Sequence, residues 1–164
     1  MKRIYLLRHA KSDWGDPDVA DFDRPLNDRG LRTAPLVGRL ISERQMVPDL
    51  IVSSPARRAL ATAELVRQNL TGDPEIRPNE RVYEASPQTL LQVAAGLDDA
   101  IGSAMLVGHN PGIEGFVRLL TGRNEGMPTA ALAVIDLAVD RWAQIAAGRG
   151  TLIEVVRPKD HIAI

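Results

Sequence analysis

Three segments of the sequence carry residues that could perform chemistry. Arg8 and His9 come directly after an apolar run, Arg58 follows a second such run, and His109 follows a third. An arginine guanidinium matches the oxygens of a phosphate group in both geometry and charge. A neutral imidazole carries a lone pair that can attack phosphorus. These residue types together predict phosphoryl chemistry, with an anion as the natural occupant of the site.

The three apolar runs read as buried strands, and the segments between them read as helices. Strands are predicted over 3–7, 49–53 and 103–107, and a short extended segment over 75–77. Helices are predicted from Asn27 or Asp28 to about 45, after Ser54, over 87–97 and from Pro111 to about Leu120. Two further β-like runs follow, and we expect them to be neighbouring strands. Alternating strands and helices predict an α/β fold, a three-layer α/β/α sandwich with a mainly parallel central sheet.

The predicted topology would bring the reactive residues together. In an open parallel sheet, ligands bind beyond the carboxyl ends of the strands. Arg58 is expected in the first turn of a helix that Ser54 caps and Pro55 opens. A cation is unfavourable at that position unless an anion lies there too. His109 is likewise expected just before a helix capped by Asn110, so two helix starts would face the same point.

Composition narrows the class of protein. The chain has 164 residues, of which 45% are hydrophobic and 25% charged, as in a globular protein. We expect a single domain over residues 1–164. A net charge of −1 and only 4% aromatic residues argue against nucleic acid or a membrane as partner. There is no cysteine, and the short apolar N-terminal run is not a signal peptide, so we expect a cytoplasmic protein.

Five motifs, in order along nearly the whole chain, resemble one known family. They read LLRHAKSDW, DFDRPLNDRG, SSPARRALATAE, VYEASP and VGHNPG. They are similar to those of the histidine phosphatase (phosphoglycerate-mutase-like) superfamily, and the short chain resembles its SixA-type phosphohistidine phosphatases. The resemblance implies the phosphoglycerate-mutase-like fold and a hydrolase that forms a phosphohistidine intermediate. It implies no metal and no cofactor.

Matching the motifs residue by residue gives each candidate a role. By resemblance, His9 is the phosphorylated nucleophile, Arg8 and Arg58 bind the phosphoryl group and His109 donates to it. Arg24 corresponds to an additional phosphate-contacting arginine of SixA-like members. Glu84 lies near the position where longer relatives place a general acid, although a loop carboxylate paired with an arginine is the alternative.

A few residues are assigned without the resemblance. Ser12 and Lys11 are candidates to line the pocket, and Arg57 is expected on the solvated side of its helix. Trp14 and Trp142 are expected to serve in packing. No histidines and carboxylates fall at metal-ligand spacing in the sequence.

Two departures from the family pattern bear on the substrate. Ala10 stands where many relatives have glycine, and it is still a small residue. The chain has no room for the extended insertion of the mutases, so we expect a shallow, open site. Protein phosphohistidine is the substrate that the resemblance implies. A small phosphate ester remains an alternative, as do a mutase and a non-catalytic module that binds a phosphorylated ligand.

Overall fold

The computed structural model describes residues 1–161, which form six strands and four α-helices. The strands are β1 (Lys2–Arg8), β2 (Leu50–Ser53), β3 (Glu75–Pro78), β4 (Ser103–Gly108), β5 (Leu132–Leu137) and β6 (Gly150–Val156). The α-helices are α1 (Asp28–Glu43), α2 (Arg57–Gln68), α3 (Pro87–Ala95) and α4 (Gly112–Thr121). Short 3-10 turns lie at Asp21–Asp23, Glu80–Val82, Trp142–Gln144 and Pro158–His161. None of the helices within 1–161 is long and apolar enough to cross a bilayer.

The six strands form one mixed sheet in the order β3-β2-β4-β1-β5-β6. The pairings among β3, β2, β4 and β1 are parallel, whereas β5 and β6 add to the edge beside β1 in antiparallel fashion. The α/β prediction is confirmed, and the two late β-like runs are neighbours as expected. The parallel half of the sheet carries the strand ends of interest.

Helices cover both faces of this sheet, which gives the three layers. Side chains alternate between the faces of a strand, so Ile4 and Leu6 of β1 enter one core and Tyr5 and Leu7 enter the other. The first core packs against α3 and α4, and the second against α1 and α2. Because both faces are buried, the central strands read as continuous apolar runs rather than alternating ones.

The helix starts differ in part from the sequence-based expectation. Asn27 caps α1 as predicted, because its side chain accepts a hydrogen bond from the Gly30 amide at 2.9 Å. The prediction that Ser54 caps α2 is wrong: the helix begins at Arg57, and its N-cap residue is Ala56. Similarly, α4 begins after Pro111 rather than at it.

The register of the parallel strands brings the reactive residues together. Arg8, at the end of β1, lies opposite Gly108, at the end of the adjacent β4. His9 and His109 directly follow these two strand ends, so both residues lie at the same edge of the sheet. Ser53 of β2 lies opposite Val107 on the other side of β4, which places the loop into α2 at that edge as well.

Candidate active site

A cavity of about 270 Å³ opens at the carboxyl ends of β1, β2 and β4. We call this cavity the cup. The residues that the sequence assigns to the site all line it, namely Arg8, His9, Ser12, Arg24, Arg58, Glu84 and His109. Lys11 and Asn110 line it too, as do three residues that the sequence did not indicate, Trp14, Asp21 and Thr129. Arg57, in contrast, is exposed, as expected.

The His9 ring is held with one nitrogen available. His9 is only 6% exposed, and its Nδ1 lies 2.7 Å from the carbonyl oxygen of Ala10. A carbonyl can only accept, so Nδ1 carries the proton and Nε2 keeps the lone pair. Burial lowers the pKa of His9 to about 4, and the nearby Arg58, Arg8 and Arg24 charges act in the same direction. The imidazole is therefore neutral and nucleophilic near neutral pH.

His109 lies beside it, with a ring-centroid distance of 5.2 Å. Its Nδ1 is 3.3 Å from Nη2 of Arg58, which can only donate, so Nδ1 accepts. The ring proton therefore sits on Nε2 and is donated to Oγ of Ser54 at 2.7 Å. Burial, followed by the His9 ring and the Arg58 charge, lowers the pKa of His109 to about 3. To donate from Nδ1 to a phosphoryl oxygen, this ring must first take up a proton.

Two arginines bring unpaired donors to the cup. Among the described residues, the Nε–H groups of Arg8 and Arg58 are buried and have no hydrogen-bond partner. Arg58 is only 4% exposed, whereas one terminal nitrogen of Arg8 donates to the Met127 carbonyl at 3.2 Å. A buried donor without an acceptor is costly unless a ligand supplies one. Both donors belong to residues that line the cup, so they fit an oxyanion there.

Arg24 lies at the wall of the cup in a fixed position. Its Nη1 donates to Oγ of Ser12 at 2.7 Å and to the Asp13 carbonyl at 3.2 Å. Its guanidinium lies over the Trp14 ring, with 3.5 Å between Cζ and the ring centroid. Trp14 is 73% exposed, so it lies outside the core, and the packing expected of it is limited to its contact with Arg24. Trp142, in contrast, is fully buried as expected.

Glu84 lies at the exposed rim of the cup, in a left-handed backbone conformation with φ of 52°. Within residues 1–161 its carboxylate makes no ion pair with an arginine. The structure therefore does not show the alternative, in which the Glu84 carboxylate is paired with an arginine. The adjoining loop packs closely on α4, since a Cβ at Gly112 would lie 2.1 Å from the Ala85 carbonyl oxygen.

Thr62, four residues after Arg58 in α2, forms hydrogen bonds to two parts of the site. Its Oγ1 donates to the Arg58 carbonyl at 2.7 Å and accepts from the Ala10 amide at 3.0 Å. One hydroxyl thus ties the start of α2 to the residue that follows His9. The distance between the nucleophile candidate and Arg58 is fixed by these two bonds.

Asp21 is one of the three residues of the site that the sequence did not indicate. Its carboxylate accepts hydrogen bonds from Arg24, Arg58 and Tyr83. Tyr83 also packs edge-on against His109, with 5.5 Å between ring centroids. The DFDRPL motif contains Asp21, yet one acidic residue among several in a polar loop gives no signal of its own. In the part of the chain that the structure describes, no three His, Cys, Asp or Glu side chains are grouped so as to hold a metal ion.

Comparison with known proteins identifies the family to which the chain belongs. Residues 4–88 match the sequence profile of the Histidine phosphatase superfamily (branch 1). An uncharacterized protein of Mycobacterium tuberculosis is 32% identical over 161 residues, covering 90% of this chain and 96% of that protein. The chain belongs to the histidine phosphatase superfamily.

Solved structures refine that assignment. A candidate phosphohistidine phosphatase SixA from Agrobacterium tumefaciens has a TM-score of 0.83 and 35% identity, covering 96% of this chain and 98% of that one. A protein histidine phosphatase SixA complexed with tungstate shares the fold, with a TM-score of 0.84 and 19% identity over 98% of this chain and 99% of that one. Within the superfamily this chain is of the SixA type, and it is a phosphatase.

Proposed function

We propose that this chain hydrolyses protein phosphohistidine through a phosphorylated His9. The observation that carries the proposal is the pair of buried, unpaired Nε–H donors of Arg8 and Arg58 beside a His9 ring whose Nε2 keeps its lone pair. An anion-binding module would need the arginines but not a nucleophilic imidazole held in one tautomer.

The first step transfers the phosphoryl group to the enzyme. Nε2 of His9 attacks phosphorus, and the bond from phosphorus to the leaving nitrogen breaks, with its electron pair going to the leaving imidazole. The Glu84 carboxyl, at the rim of the cup, supplies a proton to that nitrogen. In the second step water attacks phosphorus, the P–Nε2 bond breaks, and the proton of the water passes to the Glu84 carboxylate.

The transition state of each step spreads negative charge over the phosphoryl oxygens. Donors fixed in advance stabilise that charge, and each is worth roughly 2.7–4 kcal/mol by analogy with oxyanion-hole donors. Arg8 and Arg58 supply such donors in a buried site. Protonated His109 adds another, because the phosphoryl charge favours its imidazolium form.

The surroundings of the cup support a macromolecular substrate. A second cavity of about 620 Å³ adjoins the cup and shares Glu84, His109 and Asn110 with it. Its remaining lining includes Ala85 and Pro87, which offer apolar surface. A phosphorylated side chain in the cup therefore has room for its neighbouring residues beside it. A small ester would leave this second surface unused.

A comparison of substrates tests the proposal. We expect kcat/KM for a phosphohistidine peptide to exceed that for an aryl phosphate, and His9→Ala to abolish turnover of both. His161→Ala is the matched control, because His161 is exposed and lies outside the cup. A preference for the aryl phosphate would point to a small-ester phosphatase instead, and full activity in His9→Ala would refute the mechanism.

A further inference from the structure

The Asp21 carboxylate connects side chains from three parts of the chain, and two of them, Arg24 and Arg58, line the cup. Oδ1 accepts from Nε and Nη2 of Arg24 at 3.1 and 3.0 Å. Oδ2 accepts from Nη2 of Arg58 at 3.0 Å and from the Tyr83 hydroxyl at 2.6 Å. The Asp21 carbonyl oxygen also accepts from Nη1 of Arg58 at 2.6 Å. One residue thus engages two guanidiniums at once.

These bonds determine which donors the arginines can offer. Both terminal nitrogens of Arg58 donate to Asp21, and Nη2 also donates to His109, whereas the buried Nε–H has no partner among the described residues. All three nitrogens of Arg24 are likewise engaged, by Asp21, Ser12 and Asp13. An arginine side chain has several rotatable bonds and therefore loses rotamer entropy when it is held in one orientation. Asp21 removes part of this freedom before any substrate binds, which lowers the cost of aligning the donors.

We propose that Asp21 is a positioning residue that holds Arg58 and Arg24 in the orientation needed for phosphoryl transfer. The inference rests on the proposed function and concerns the same site. Asp21 is not the proton donor, because hydrogen bonds from Tyr83, Arg24 and Arg58 lower the pKa of its carboxyl to about 2. A group that is ionised throughout the neutral range has no proton to give.

Loss of the carboxylate has opposite effects on binding and on catalysis. It removes a negative charge that repels phosphoryl oxygens, which favours binding of an oxyanion in the ground state. It also releases both guanidiniums, which weakens the alignment on which the transition state depends. In Asp21→Asn we therefore expect kcat to fall by about tenfold or more. The Kd for tungstate should stay within about threefold of wild type or become tighter.

A matched control separates this role from a general effect of charge. Asp23→Asn makes the same change two residues away, at an exposed side chain with no hydrogen bond or ion pair within residues 1–161. We expect its kcat and tungstate Kd to match those of wild type. Tyr83→Phe removes one bond to Asp21 and should lower kcat by less than Asp21→Asn does. Equal kcat in Asp21→Asn and Asp23→Asn would overturn the inference.

A readout that needs no turnover tests the same inference. In ¹⁵N NMR spectra of the wild type and of Asp23→Asn, the Nη signals of Arg58 and Arg24 should be resolved, since restrained guanidiniums rotate slowly. In Asp21→Asn these signals should merge through fast rotation. Equal rotation rates in both variants would refute the positioning role even if the wild type were inactive. Failure of the wild type to hydrolyse any phosphate compound would refute the proposed function alone.

Discussion

Acidification to about pH 4 should destabilise the folded chain, because His9 takes up a proton more readily in the unfolded chain than in its buried site. The pKa of this ring is about 4 in the folded protein, against about 6.5 for an unperturbed histidine. At about 1.4 kcal/mol per pKa unit, that difference corresponds to roughly 3 kcal/mol of stability. The value belongs to a buried ring, so solvent screening reduces it little.

The sign follows from the order of the two pKa values. Between about pH 4 and pH 6.5 the unfolded chain binds more protons than the folded one, so stability rises with pH. The full contribution is present above about 6.5 and is lost as the pH falls through that range. The lowered pKa of His109 acts in the same direction. Asp21, whose pKa is lowered to about 2, adds to the loss only below 3.8.

Two measurements check this prediction. Urea denaturation across that pH range gives the slope, and His9→Gln should flatten it, because the substituted side chain does not titrate. The chain has only three histidines, so their Cε1–H signals can be assigned by single substitutions. Because the two site rings are close enough to couple, their titrations are compared as a pair. A His9 signal that titrates near 6.5, with flat stability, would contradict the account of the buried site.

Of three further predictions, two concern residues that hold the site in place and the third concerns ligand binding. Thr62→Val should lower the free energy of unfolding, measured by urea denaturation, by about 1–3 kcal/mol, because the buried Ala10 amide loses its acceptor. Thr62→Ser keeps a hydroxyl and should lose much less. Gly112→Ala should lower the free energy of unfolding by about 1–3 kcal/mol, because the added Cβ would overlap the Ala85 carbonyl. Gly126→Ala is the control and should be near neutral, since nothing lies within 4 Å of its added Cβ. Equal losses in the two variants would refute overpacking as the cause. Tungstate binding at neutral pH should be accompanied by uptake of a proton, because His109 must be protonated at Nδ1 before it can donate to the anion. Titration calorimetry in buffers of different ionisation enthalpy measures this uptake. No uptake would exclude His109 Nδ1 as a donor.

The strand ends could be predicted from the sequence because their signals are local. Each run of apolar residues stops at a polar residue, and a parallel sheet brings such ends to one edge. Arg8, His9 and His109 therefore lie together as expected, and the cup is lined by all seven residues that the sequence assigns to the site. The roles assigned to those residues by resemblance remain predictions.

The contacts that orient these residues could not be predicted, because they depend on tertiary structure. Asp21 and Trp14 lie in a polar loop without periodicity, and nothing local shows that one would bind two arginines and the other would stack on Arg24. Ser54 has the residue type of a helix cap, and its hydroxyl does accept from the nearby Ala56 amide, yet α2 starts later, at Arg57. The same hydroxyl also bonds to His109, which is distant in sequence and could not be predicted as its partner.

Trapping of the phosphorylated enzyme is the most direct test of whether His9 is the nucleophile. The chain is mixed with a phosphohistidine peptide, quenched in base within milliseconds and digested, and the acid-labile phosphoryl group is located by mass spectrometry. We predict one phosphoryl group on Nε2 of His9 and none on His109 or His161. Turnover without any label on His9, or label that persists in His9→Ala, would contradict the claim that this ring is the nucleophile.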